Sequence, residues 1–152
     1  MRTAGKRQRP TPTIDCGPLR HSIRFVVLRA NRILSRDWSS SALNQSMHLI
    51  SYCTFTLIGT NPGISLIELA QYITVDKSRV SDLIDSLERK RLVVRRQRSM
   101  DHRRIGIYLT AAGIARLETI NKEVEIQEQR IQELYSLEER GQLISLLSRI
   151  EP

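Results

Sequence analysis

A tight pair of short helices followed by a strongly basic hairpin constrains the fold of this chain more than any other feature. Ser65 and Glu68 have the spacing of a capping box, in which each side chain accepts from the other residue's backbone N–H, and a helix over 66–73 follows. A two-residue turn leads to a second helix, from Asp76 as a suitable N-cap residue to Lys90. Two helices joined by so tight a turn predict a helix-turn-helix unit.

The hairpin after this unit is the most basic part of the chain. Residues 89–104 hold eight of the 24 lysines and arginines and one acid, a local charge of +7. Two short β-like runs, 92–94 and 105–109, flank the arginines. Basic side chains on a projecting ribbon favour a polyanion as partner; the alternative is a solvated hairpin whose charges prevent edge-to-edge aggregation. With the helices before it, the hairpin completes a winged helix, a three-helix core with a β-wing.

A long helix follows the hairpin, from Thr110 as N-cap to about residue 134. Its inner positions alternate spacings of three and four, which is typical of a coiled-coil seam. We therefore expect a homodimer, and the alternative is packing on the chain's own first helix. The residues expected to form the dimer seam are Leu117, Ile120, Val124, Ile131 and Leu134. A second capping box, Ser136 with Glu139, begins a last helix with apolar residues up to Ile150.

The remaining segments complete a single predicted domain over 19–152. Apolar residues recur at helical spacing over 19–36, where the pattern breaks at Asp37, and again over 46–59. Residues 1–18 combine Pro, Gly, Thr and bases and predict a disordered basic arm. The predicted fold class is mainly α (α+β). Its winged helix-turn-helix core spans about 46–110 and has a two-stranded wing, and dimerisation helices flank it over about 19–36 and 111–150.

Composition narrows the function further. A net charge of +8 and a pI of about 10.2 favour nucleic acid, and no run of apolar residues is long enough for a membrane span. No apolar stretch follows the first basic residues as in a secretory signal, so we expect a cytoplasmic protein without a membrane partner. The two cysteines and three histidines lack the spacing of a metal site or a nucleophile–base pair, and no Gly-rich phosphate loop is present. We therefore expect no metal, no cofactor and no enzyme activity.

The residues at these positions resemble the MarR family of bacterial regulators. The resemblance is carried by Ser65-x-x-Glu68-Leu69-Ala70, then by residues 75–81, 87–89 and 92–93, and finally by Asp101-x-Arg103 and Leu109-Thr110-x-x-Gly113. It extends over roughly residues 19–150 through the order of the helices. Two positions depart from the family pattern. Arg91 stands where many members have Gly, and Asp82 where a basic or polar residue is common. An arginine at a left-handed position would cost about 1–2 kcal/mol.

This resemblance implies that the second helix enters the major groove of double-stranded DNA and that the wing contacts its flank. The expected DNA-binding residues on the helix are Lys77, Ser78, Arg79, Ser81, Asp82 and Arg89. Arg79 suits a bidentate contact to guanine, and Asp82 can accept from cytosine N4. By resemblance Arg103 enters the minor groove and Asp101 holds it. The remaining wing arginines, Arg95, Arg96, Arg98 and Arg104, are expected to contact phosphate or to steer the approach to DNA. A dimer would read an inverted-repeat operator.

The resemblance also implies a small effector, bound between the dimer helices and the DNA-binding lobe, that relieves repression. The expected ligand-binding residues are Arg20, His21, Arg24, Trp38, His48, Ser51 and Tyr52. Arginine and histidine suit a carboxylate, and Trp and Tyr suit an aromatic ring, so an aromatic acid or its aryl-CoA thioester is the expected ligand class. The alternative is a redox-sensing repressor that uses Cys16, because basic residues nearby could lower the pKa of its thiol.

Overall fold

The computed structural model of the protein describes residues 14–40, 47–98 and 101–150, without the side chains of 40, 98, 101–104 and 130. The chain divides into two compact units, Met1–Asp37 and Trp38–Pro152, and each is described by itself. Residues 1–13 of the predicted arm lie outside the described residues. The single domain over 19–152 and the arm over 1–18 therefore stay predictions.

The order of elements in the described residues confirms a mainly helical winged helix with a two-stranded wing. The elements are α1 (Ile23–Ser40), α2 (Leu49–Thr60), α3 (Leu66–Ile73), α4 (Lys77–Arg89), β1 (Val93–Arg98), β2 (Asp101–Leu109), α5 (Ala111–Gln132) and α6 (Leu137–Leu147). Two short 3-10 helices, Gly17–His21 and Ser148–Ile150, lie before α1 and after α6. Of the helices described here, none is both long and apolar enough to span a membrane.

Helix α1 begins later than the apolar pattern predicts. The first turn predicted from Leu19 is part of the 3-10 helix Gly17–His21, and Ser22 after it has extended backbone torsions. The side chain of Ser22 accepts a hydrogen bond from the backbone N of Phe25 at 3.3 Å, so it caps α1 from Ile23 onward. Apolar residues continue at helical spacing through the 3-10 helix and Ser22. The sequence pattern therefore did not indicate where α1 begins.

The predicted break at Asp37 is wrong, because α1 continues to Ser40. The indole Nε1 of Trp38 donates to the carbonyl of Met47 at 3.2 Å, and its ring lies 5.7 Å from the ring of Tyr52. These contacts within the second unit stabilise a helical end whose residues have only modest helix propensity.

The core of the second unit is built from α2, α3, α4, both strands and α5. Its buried apolar side chains are Met47, Phe55, Ile58, Leu69, Ala70, Val80, Ile84, Leu87, Val93, Ile107, Ile120 and Val124. Helix α2 begins at Leu49, not at the predicted residue 46, because His48 before it has extended torsions. The core surrounds α4 on one side only, which leaves the other side of that helix at the surface.

The helix-turn-helix unit is formed by α3 and α4. The predicted capping box is confirmed: Ser65 Oγ accepts from Glu68 N at 3.2 Å, and Glu68 Oε2 accepts from Ser65 N at 2.7 Å. Thr74 then adopts a left-handed conformation with φ 58°, which turns the chain sharply into α4. Asp76 occupies the N-cap position, but the capping bond expected of its side chain is not formed. The first backbone N–H groups of α4 thus lack this intramolecular partner.

The wing pairs β1 with β2 as antiparallel strands, from Val93 opposite Leu109 outward, with an irregularity after Gln97. A further bridge, which the sequence did not indicate, joins the linker between α2 and α3 to β2. Gly63 N donates to Ile107 O, and Ile107 N donates to Ile64 O, both at 2.9 Å. The linker crosses so closely that a Cβ on Gly106 would lie 2.7 Å from the carbonyl oxygen of Gly63. The base of the wing is therefore held from both sides.

Helix α5 corrects the predicted dimer seam. Ile120 and Val124 are only 0% and 7% exposed in a single chain, and Leu117 packs against the same core. Ile120 and Val124 stabilise the winged-helix unit itself and have little surface left for a second copy, whereas the dimer role of half-buried Leu117 stays a prediction. Apolar residues do recur at spacings of three and four along α5. Any helix that packs on one side shows this pattern, whether its partner is the core or a second copy. Ile131 is half-buried and Leu134 is exposed, so their predicted role in a dimer remains a prediction.

Helix α6 begins at the second capping box, as predicted. Ser136 Oγ accepts from Glu139 N at 3.2 Å, and Glu139 Oε2 accepts from Ser136 N at 2.7 Å. The bond from the backbone of Ser136, and then the bond with its side chain, hold the pKa of Glu139 below its ordinary value. The apolar side chains of this helix remain largely exposed within one chain: Leu137, Leu143, Ile144, Leu146 and Leu147.

Candidate nucleic-acid interface

The first turns of α4 present polar side chains on a rigid support. Val80, Ile84 and Leu87 are buried on its inner face, so the opposite face is fixed in orientation. The predicted contacts on that face are at the surface, since Lys77, Ser78, Arg79 and Asp82 are exposed and Ser81 is half-buried. A helix with this exposed N-terminal half has the form that fits a major groove.

The predicted basic contacts in the wing and at the end of α4 fall into three groups. Arg96 on β1 and Arg89 at the end of α4 are exposed, as a phosphate contact requires. The backbones of Arg98 and residues 101–104 lie in the strands near the wing tip. The side chains of Arg98, Asp101, Arg103 and Arg104 lie outside the described residues, so their predicted roles stay predictions. Arg95 forms the third group.

Arg95 does not have the free guanidinium that a phosphate contact needs. Its Nη2 donates to Asp85 Oδ1 at 2.6 Å, and its Nη1 donates to Glu88 Oε2. Burial disfavours the charge on Arg95, but the hydrogen bonds and charges of Asp85 and Glu88 outweigh it, so its pKa is raised. This pairing argues against the predicted phosphate contact of Arg95, which stays a prediction. Strand alternation places Arg95 on the same face as buried Val93, and that face packs against α4.

Asp85 and Glu88 are site residues that sequence reasoning missed. They lie three positions apart on α4, so both carboxylates project from one face of the helix. The sequence did contain an indication of them. Arg95 lies two residues after the apolar strand residue Val93, so both side chains point to the same inner face, where an arginine needs an acidic partner. The concentration of basic charge in the hairpin concealed it.

A compact joint connects the wing to the helices at its base. Thr110 Oγ1 donates to Arg91 O at 2.7 Å and accepts from Gly113 N at 3.0 Å, and Thr110 N donates to Leu92 O at 3.0 Å. A Cβ on Gly113 would lie 2.1 Å from Leu92 O, which leaves room only for glycine. The Leu-Thr-x-x-Gly motif thus fastens the start of α5 to the chain between α4 and β1.

Arg91 lies in this joint with φ 56°, the left-handed conformation that glycine adopts most easily. Its N–H donates to Glu88 O at 2.8 Å, which closes the end of α4. Arg91 thus adopts a conformation in which glycine would be less strained. It adds backbone strain of about 1–2 kcal/mol.

The expected ligand-binding residues belong to different units. In the first unit, Arg20 is paired with Asp15 at 2.8 Å, and both side chains are well exposed. The backbone N–H of Gly17, and then Arg20, lower the pKa of Asp15. His21 and Arg24 are exposed.

In the second unit, Trp38 and Tyr52 form a tilted aromatic pair, and the hydroxyl of Tyr52 donates to Asn121 Oδ1 at 3.2 Å. Ser51 beside Tyr52 is half-buried and His48 is exposed. The bond to Asn121 joins α2 directly to α5, a connection that the sequence did not indicate.

The two cysteines have different surroundings. Burial raises the pKa of the Cys53 thiol above its ordinary value. Cys16 is half-buried before the first 3-10 helix, and its thiol lies 3.7 Å from Ile14 O as a weak donor. Redox sensing by Cys16 stays a prediction.

Comparison with known proteins identifies relatives of this chain. The sequence profile of the MarR family matches residues 46–105. A candidate transcriptional regulatory protein for the hcr operon of Thauera aromatica is 36% identical over 99 residues, which cover 65% of this chain and 60% of that protein's length. The match thus spans less than two thirds of that relative.

Two solved structures resemble the whole fold. The transcriptional repressor CouR, bound to a 23-mer DNA duplex, is 25% identical with a TM-score of 0.81, and the match covers 91% of this chain and 99% of that one. CouR from Rhodococcus jostii RHA1, bound to p-coumaroyl-CoA, is 22% identical with a TM-score of 0.79, covering 88% and 94%. All these relatives are regulators of transcription, not enzymes, in agreement with the sequence prediction.

Proposed function

We propose that the chain is a winged-helix regulator of the MarR family, which its relatives support, and that it is a homodimeric, sequence-specific DNA-binding repressor that a small ligand releases from its operator. The observation that carries this proposal is the exposed first turn of α4, fixed by its buried inner face and followed by a basic wing. This arrangement supplies a rigid reader of base edges next to a source of phosphate contacts.

In the proposed complex each α4 enters a major groove of double-stranded DNA. Arg79 forms a bidentate contact with guanine, and Ser78 binds a phosphate or a base edge. Asp82 accepts from cytosine N4, which would give the helix a preference for cytosine at that position. Lys77, Ser81 and Arg89 supply further contacts along the same face.

The wing reaches the minor groove through Arg103, with Asp101 holding that arginine, while Arg96, Arg98 and Arg104 contact the backbone. Arg103→Ala should weaken binding by about 1–3 kcal/mol. The measurement is fluorescence anisotropy with a duplex that the wild-type protein has enriched from a random library. Unchanged affinity would contradict the assignment of the wing.

The salt dependence of binding tests the number of phosphate contacts. If each half of a dimer neutralises about four phosphates, log affinity should fall against log salt with a slope of about −7. A slope near zero, or failure to enrich any duplex, would contradict the proposed function itself. Arg96→Ala should reduce the magnitude of the slope by about one for each half-site.

A dimer is supported by the apolar side chains that α6 leaves at the surface of one chain. Ile144 is 66% exposed, and Leu143 and Leu147 beside it are also exposed. A soluble protein rarely leaves such a contiguous surface uncovered. Two copies would present two α4 helices about 34 Å apart, so the operator would be an inverted repeat.

The effector we propose is an aromatic acid or its aryl-CoA thioester. The aromatic pair Trp38 and Tyr52 supports an aromatic ring, and CouR, whose fold is similar, binds p-coumaroyl-CoA. Thermal-shift measurements with p-coumaroyl-CoA, benzoyl-CoA, benzoate and free CoA would test this class. A true effector stabilises the protein in proportion to the logarithm of its concentration and also lowers DNA affinity. Equal shifts with free CoA would contradict the aromatic assignment.

A further inference from the structure

Arg95 connects the base of the wing to α4. The guanidinium of Arg95 donates to Asp85 and Glu88, and the backbone N–H of Arg95 donates to Glu88 Oε1 at 3.2 Å. Glu88 thus holds both the side chain and the main chain of β1. The side chain of Arg95 is 29% exposed, and those of Asp85 and Glu88 are 45% and 37% exposed. The cluster therefore lies at the edge of the surface and not in the core.

The cluster changes the charge that α4 presents. Without Arg95, the carboxylates of Asp85 and Glu88 would stand unpaired on the helix that also carries exposed Asp82. Unpaired carboxylates on α4 would add to the repulsion of a phosphate backbone that approaches this helix. Hydrogen bonding to one guanidinium offsets part of this negative charge, since the bond is charge-assisted and partly shielded from water.

The position of the cluster also controls the direction of the wing. Arg95 is the third residue of β1, so Arg98 at the end of that strand lies roughly 10 Å beyond it at the usual rise of a strand. A rotation of about 17° at the base would displace the end of the strand by about 3 Å over that length. Such a displacement is as large as a hydrogen-bond length, so it would separate a tip arginine from its contact on DNA.

We propose that Arg95 is a positioning residue for DNA recognition. By binding Asp85 and Glu88 it fixes the wing relative to α4, so that helix and wing reach DNA at one set angle, and it masks two carboxylates on the reading helix. This inference rests on the proposed function as a DNA-binding regulator. It assigns Arg95 to discrimination between DNA sequences and not to direct phosphate binding.

The test uses full-length protein and two duplexes of equal length and composition, one enriched from a random library by the wild type and one scrambled. The ratio of the two affinities measures sequence discrimination. Arg95→Met should lower this ratio about tenfold. Asp85→Asn combined with Glu88→Gln should lower it similarly, and adding Arg95→Met to that pair should change it by less than about twofold.

Arg96→Met is the matched control, because Arg96 is the exposed neighbour of Arg95 on the same strand. It should weaken binding to both duplexes by the same factor and leave the discrimination ratio unchanged. Arg95→Lys keeps the charge and can reach one carboxylate, so it should recover part of the discrimination. A thermal unfolding curve for each variant verifies that the fold is retained.

A direct phosphate contact at Arg95 predicts the opposite pattern and would overturn the inference. Removing the two carboxylates would then release the guanidinium and raise affinity for both duplexes, and Arg95→Met would weaken both equally in either background. These carboxylate variants decide the question even if Arg95→Met fails to fold. If the wild type enriches no duplex, the proposed function fails first and this inference fails with it.

Discussion

Gly113 permits the close contact in the joint at the base of the wing because it has no side chain. The position of its missing Cβ is 2.1 Å from Leu92 O, far inside van der Waals contact. Gly113→Ala should lower the free energy of unfolding by at least about 3 kcal/mol, although alanine favours helices elsewhere. Gly141→Ala in α6 is the control, since nothing lies within 4 Å of that site. It should raise stability by about 0.5–1 kcal/mol. Equal effects in urea unfolding would contradict the close contact.

Arg91 offers the reverse experiment at the same joint. With φ 56° it is one of two non-glycine residues of positive φ in the described part of the chain. Arg91→Gly should raise the free energy of unfolding by about 1 kcal/mol, because glycine adopts this conformation without strain. Lys90→Gly, at φ −78°, should lower it by about 0.5–1 kcal/mol. Destabilisation by Arg91→Gly would mean that the side chain makes a contact worth more than the strain.

At the scale of elements, Thr110 joins three segments with one hydroxyl. It donates to Arg91 O, accepts from Gly113 N and precedes α5 directly. Thr110→Val keeps the shape but loses both bonds, so the free energy of unfolding should fall by about 1–2 kcal/mol. Thr110→Ser keeps the hydroxyl and should lose much less. Similar losses for both variants in urea unfolding would assign the effect to the missing methyl group.

The elements that sequence patterns predicted well are those with a local cause. Both capping boxes, α3 and the cap at Thr110 depend on residues within one turn, and all are confirmed. The end of α1 depends instead on a contact between residues nine positions apart. Trp38 extends α1 through its bond to Met47, and no local pattern contains that bond.

The candidate site divides in the same way. The exposed face of α4 could be predicted because its buried face repeats at helical spacing. Arg95 could not be separated from its neighbours by charge, since an arginine bound to Asp85 and one bound to phosphate look alike in a sequence. Ile120 and Val124 show a related ambiguity, because a core-facing helix and a dimer seam share one period.

At the scale of the whole molecule, the division of apolar residues between core and surface predicts the assembly. Ile144→Asp places a charge on the exposed face of α6 and should weaken dimerisation without unfolding the chain. Sedimentation velocity over a range of concentrations should then show a larger monomer fraction. Ser145→Asp adds the same charge at a neighbouring exposed polar site and should change little. An Ile144→Asp protein that remains dimeric at every concentration would exclude this face from the interface.

Val124→Asp should behave differently from Ile144→Asp, because Val124 is 7% exposed within one chain. A charge there lacks a partner in the core and should lower the thermal unfolding temperature strongly. Circular dichroism during heating would measure the loss, and Gln127→Asp at a half-buried position on the same helix serves as the control. A folded Val124→Asp monomer would contradict the burial that removes this residue from the dimer seam.

Only one residue, Thr110, separates the last residue of β2 from the first residue of α5. An insertion of a single residue there would turn α5 by about 100° relative to the wing. Thr119 would then occupy the place of Ile120, and Glu123 the place of Val124. Insertions and deletions are therefore disfavoured at this end of the hairpin. A change of length in the turn between β1 and β2 would not rotate α5 in this way. Natural variation in wing length should accumulate at the tip and stop short of residue 110.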